Sequence, residues 1–136
     1  MAKKTINKNW ADRGIVYSPI KYGLFITEDS YRKQLKEIEY DSWNEEEFIP
    51  KGFWAVVNTF EEKNGTQACF VCLDYERCKT IKPHQVYALI VHEAVHIWQR
   101  IKKSLNEKSP SKEFEAYSMQ NICEELFYLY EQLVKQ

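Results

Sequence analysis

Of the 3 histidines in this 136-residue chain, two stand four positions apart, with a glutamate directly after the first: His92-Glu93-Ala94-Val95-His96. On a helix, residues i and i+4 share one face about one turn apart. Two neutral imidazoles placed that way can bind a single Zn2+. The carboxylate beside the first of them can take a proton from a metal-bound water. The spacing supplies two nitrogen ligands and an adjacent base, and leaves room for a third ligand and a water.

The segment from Val86 to Leu105 has the periodicity of a helix. Advancing about 100° per residue places Val86, Ile90, Val91, Ala94, Ile97, Trp98, Ile101 and Leu105 on one broad apolar arc. His92, Glu93 and His96 share the adjoining arc, with Leu89 between the two histidines. The candidate ligands therefore border a buried stripe, as the floor of a cleft would require. A catalytic zinc normally has three protein ligands and an open position. Ser109-Pro110-Ser111 signals a helix start. Beyond it Met119, Ile122, Cys123, Leu126, Tyr130 and Leu133 form an apolar stripe on which Glu115 also falls. A carboxylate on such a stripe is costly unless paired or bound to metal. Glu115 is thus the expected third ligand. The competing role is an ion pair with a Lys or Arg such as Arg100.

The pentapeptide together with Glu115-Ala116-Tyr117 on the next helix resembles the zincin metallopeptidases of the gluzincin type. In those, two His on one helix and a Glu on a following helix hold zinc. The short form is similar to small single-domain zinc peptidases, among them phage-encoded ones and the class that cleaves bacterial repressors. The likeness covers the region from Tyr87 to Gln120. The chain has no second H-x-x-G-x-x-H element, which disfavours the metzincin type, and it lacks a full N-E-x-x-S-D string. The resemblance implies a zinc-dependent peptidase acting on a peptide or protein substrate. His92, His96 and Glu115 would hold the metal, and Glu93 would serve as general base and then pass its proton to the leaving amine. A second oxyanion donor is expected, with His84, Tyr87 and Tyr117 as candidates. On the helical wheel Tyr117 points away from Glu115. The alternative from another class is a non-catalytic zinc-binding or vestigial fold serving as a protein-interaction module. Trp10, Trp43, Phe48 and Trp54 could supply its surface, or could equally be core.

Bulk properties narrow the setting. Hydrophobic content of 44% and aromatic content of 15% suit one packed domain over residues 1–136. A net charge of −1 argues against direct nucleic-acid binding. No run is long enough to span a membrane, and the N-terminus lacks the apolar core of a signal peptide, so a cytoplasmic protein without a propeptide is expected. Cys69 and Cys72 form C-x-x-C, but the stretch Ala68-Cys69-Phe70-Val71-Cys72-Leu73 reads as a strand. The two thiols would then face opposite sides, as reduced packing residues rather than a metal clip. Cys123 belongs to the core stripe of the last helix.

The expected order is β-β-α-β-β-α-α, an α+β fold. Strands are expected at 12–20 and 22–27, then a helix opened by Thr27-Glu28-Asp29-Ser30 and running to about Tyr40. An acidic loop follows over 41–51. Strands at 53–61 and 66–75 are joined by an Asn64-Gly65 hairpin turn. A loop holding Pro83 leads to the histidine helix and the C-terminal helix. A small, mostly antiparallel sheet would pack on the histidine helix. By the zincin likeness, the strand nearest that helix would be an edge that pairs with an extended substrate.

Overall fold

The computed structural model describes residues 9–11 and 18–135. Its elements are β1 (Ile20–Phe25), α1 (Glu28–Glu37), β2 (Ala55–Glu61), β3 (Gln67–Leu73), the single turn α2 (Tyr75–Cys78), α3 (Pro83–Ser104) and α4 (Lys112–Val134). The fold is α+β. The sheet has three strands in the order β1-β3-β2.

Strand β3 must be central. Its sequence QACFVCL is buried at every position after the first, the near-continuous apolar run of a strand covered on both faces. Cys69, Val71 and Leu73 point toward α3 and α4, where they join Ile90, Ala94, Ile97, Ile122 and Leu126. Phe70 and Cys72 point the other way, into a cluster with Phe25, Tyr31, Leu35 and Phe60. Alternation thus places Cys69 and Cys72 on opposite faces, and all four cysteines are free thiols. Trp10, Trp43 and Phe48 pack against the second cluster, while Trp54 lies under the Arg77 guanidinium, 4.2 Å from ring centre to Cζ.

The expected mostly antiparallel sheet is corrected. β2 and β3 are antiparallel, joined by a turn in which Gly65 takes φ 89° and the Thr66 amide donates to Asn64 Oδ1. β1, however, runs parallel to β3. After β1 the chain crosses through α1 and β2 before β3 forms, so its direction is set by that crossover and not by a local hairpin. Most of the expected first strand, residues 12–17, lies outside the described residues. Residues 9–11 do pair with β1: the Leu24 amide donates to the Asn9 carbonyl at 3.0 Å and the Ala11 amide to the Tyr22 carbonyl at 3.1 Å. The approach is close enough that a Cβ on Gly23 would sit 2.5 Å from the Asn9 carbonyl oxygen. The outer edge of β1 is therefore covered, and among the described residues β2 carries the open sheet edge.

Thr27 caps α1 by accepting from the Ser30 amide. Tyr31, Gln34 and Leu35 bury one face of that helix, which covers the sheet. The segment expected to be a plain loop before Pro83 contains α2, capped by Asp74. α3 begins at Pro83, earlier than periodicity suggests, because proline suits the first helical turn and Gln85 Oε1 accepts from the Lys82 amide at 2.9 Å. α3 and α4 then pack against each other and against the sheet. Val91, expected on the core arc, is exposed. No helix among the described residues is long and apolar enough to cross a membrane.

Candidate functional site

Regular helical geometry over the 22 residues of α3 brings His92 and His96 side by side, both exposed. Their ring centres lie 5.1 Å apart with planes inclined at 71°. Two imidazoles bonded to one tetrahedral zinc through bonds of about 2.0–2.1 Å have centres roughly 5 Å apart. The separation of the two ring centres matches that requirement. Gln99 Oε1 lies 3.2 Å from His96 Nδ1. With the proton on Nδ1, the Nε2 lone pair is left free for a metal, the usual way a neighbouring acceptor selects the ligating tautomer.

Glu93 differs from both. It is only 5% exposed, because its position turns it from the histidine face toward the sheet. Among the described residues no hydrogen bond or ion pair to its carboxylate occurs, yet it lines the cleft beside the histidines. Burial raises its pKa, and the adjacent His92 and His96 pull it back. A carboxylate held in that way has a strengthened affinity for a proton.

The cleft is about 600 Å³ in volume. One wall is α3, with His92, Glu93, His96, Gln99, Arg100 and Lys103. The other is β2 and its approach, with Phe53, Ala55, Val56, Val57 and Thr59. The open sheet edge and the H-E-x-x-H face thus look onto the same space.

The remaining expected site residues are elsewhere. Glu115 is not brought to the histidines. Its Oε2 accepts from Trp98 Nε1 at 2.7 Å and lies 3.7 Å from Lys102 Nζ. On α3, Trp98 and Lys102 are more than a quarter turn around the axis from the His92–His96 face. The partner of Glu115 is therefore Lys102 and not Arg100, whose Nη2 instead donates to Thr59 Oγ1 at 3.4 Å. Among the described residues no three of His, Cys, Asp and Glu converge on a metal-sized space. Tyr87 is turned to α4, where its hydroxyl donates to Glu131 Oε2 at 3.0 Å and its ring packs on Phe127. Tyr117 is 65% exposed. His84 is exposed in the first turn of α3, roughly 12 Å along the axis from His92.

Arg100 and Lys103 were not among the expected site residues, although the signal was present. They continue the face of His92 and His96 by one and two further turns. What sequence could not supply was the wall opposite them. Comparison with protein-family models, curated proteins and solved structures gave no match.

Proposed function

We propose that this chain is a zinc-dependent hydrolase of peptide bonds whose site is the cleft between α3 and β2. The single observation that carries this reading is the pairing of His92 and His96 at ligand separation with the buried Glu93, all opening onto a sheet edge that no other described strand covers. A bound zinc would be held by the two histidines and would lower the pKa of a coordinated water and polarise a carbonyl. The chain's own groups account for the rest. Edge strand β2 offers backbone donors and acceptors, unpaired among the described residues, that can hold an extended peptide against α3. In this reading Glu93 takes a proton from water and returns it to the leaving amine, and the pKa that burial raises strengthens it as the base.

One observation favours a second reading. Two of the three expected ligands fit zinc, but the Glu115 carboxylate is engaged by Trp98 and Lys102. A two-histidine site completed by water or by a partner's carboxylate would bind metal without hydrolysing peptides, as an interaction module. Elemental mass spectrometry and peptide-library hydrolysis, on wild type and Glu93→Gln, separate the two. The enzyme reading expects near one zinc per chain in both proteins, with hydrolysis reduced ~100-fold or more in the variant. Zinc without cleavage by the wild type leaves the interaction module.

A further inference from the structure

The cleft is chemically lopsided along its length. Thr59, at one end of its strand wall, is hydrogen-bonded to Arg100, and Lys103 lines the same space. Among the described residues neither cation has an ion-pair partner. Ala55 and Phe53 lie toward the other end. Ala55 is about 13 Å from Thr59 along an extended strand, and Phe53 precedes it with 56% of its surface exposed. Among the described residues the only carboxylate lining the cleft is Glu93. An exposed phenylalanine and two cations without an ion-pair partner among the described residues mark two different subsites on one track.

We propose that Arg100 and Lys103, with Thr59, form a carboxylate-recognition subsite, and that the cleft selects acidic peptides carrying an apolar side chain about four to six residues from the carboxylate. An arginine fork accepts a carboxylate in bidentate fashion, and a lysine one turn away adds a second charge. Phe53 offers the apolar contact at the far end. The carboxylate can come from an Asp or Glu side chain or from a peptide C-terminus, and the chemistry is the same for both. This inference deepens the peptidase reading and rests on it for the word substrate, but the binding it describes needs no metal and no cleavage.

The test uses fluorescein-labelled, C-terminally amidated peptides of Gly, Ala and Ser with one Phe and one Glu about four to six residues apart, in both orders. Matched peptides carry Gln for Glu. A further set carries Gln with a free C-terminus at the Glu position. Affinities are measured by fluorescence anisotropy on the metal-free full chain in low-salt buffer. Hydrolysis of the same peptides is followed on the zinc-loaded chain. We expect the Glu peptide in one order to bind ~5-fold or more tightly than its Gln match. R100Q/K103Q should erase that difference while retaining affinity for the Gln peptide, and R100E/K103E should transfer the preference to a Lys peptide. Equal tightness of the free-C-terminus set would show that the subsite accepts chain ends as well as side chains, and its failure to bind would assign it to side chains. No discrimination between Glu and Gln, no measurable binding, or discrimination surviving in R100Q/K103Q overturns the proposal. Discrimination without any zinc-dependent cleavage would retain the subsite and remove the peptidase reading. Cleavage without discrimination would do the reverse.

Discussion

Replacing Glu115 distinguishes a packing residue from a ligand more sharply than any other substitution in this chain. The Trp98 indole is 3% exposed, and its N–H donates to Glu115 Oε2 at 2.7 Å. Glu115→Ala leaves that donor without its acceptor. A buried polar group that loses its partner costs about 1–3 kcal/mol, and the low end applies because the Glu115 side chain is 44% exposed and water can follow it in. Its exposed 3.7 Å contact with Lys102 adds only a few tenths of a kcal/mol. Glu115 also stands in the acidic first turn of α4, where a negative charge near the helix N-terminus contributes about 0.3 kcal/mol or more. Together these give a loss of about 2 kcal/mol. At roughly 2.1 cal/mol/K of unfolding entropy per residue, that lowers Tm by about 7 °C. Glu115→Gln keeps an oxygen for the indole and should lose less than half as much. Thermal unfolding of the metal-free proteins, followed by far-UV circular dichroism and Trp fluorescence, measures both. A Tm for Glu115→Ala within about 2 °C of wild type would refute the packing account. If zinc content then fell as well, Glu115 would be the third ligand, and the first turn of α4 would turn toward His92 and His96 when metal binds.

Other expectations follow from particular contacts. His92→Ala and His96→Ala should each remove bound zinc in elemental analysis, whereas His84→Ala should not, because it lies roughly 12 Å along α3 from the pair. Gly23→Ala drives a methyl against the Asn9 carbonyl oxygen, 2.5 Å away. It should cost about 1–3 kcal/mol in denaturant unfolding and speed amide exchange at Leu24, whose N–H donates to that oxygen. Burial raises the pKa of Cys69, Cys72, Cys78 and Cys123, Cys72 most of all. Less thiolate is then present at neutral pH than in the unfolded chain, so labelling by a thiol-specific reagent should be slow in the native protein, quicken as pH rises, and become fast in guanidinium. Rapid labelling of Cys72 at neutral pH in folded protein would contradict the buried placement of β3.

Local periodicity was the part of this protein legible in its sequence. The i, i+4 spacing of His92 and His96, the burial of Ile90, Ala94, Ile97 and Ile101, the Thr27 and Ser111 caps and the Asn64-Gly65 turn all depend on neighbours a few residues away, where one geometry dominates. The opposite faces of Cys69 and Cys72 followed from strand alternation alone. Properties that depend on distant chain were decided only in the tertiary structure. β1 runs parallel to β3 because an intervening helix and strand return the chain before they pair, and nothing within 20–25 encodes that direction. A helical wheel placed Glu115 on the core stripe, but the roll of α4 against α3 determined which side chain it would meet, and it met Trp98 and Lys102. From sequence Arg100 is only a possible partner of Glu115, and Lys103 has no assigned role. They line a cleft because β2 lies across from them, and the packing of a sheet edge against a helix is a property of neither segment by itself.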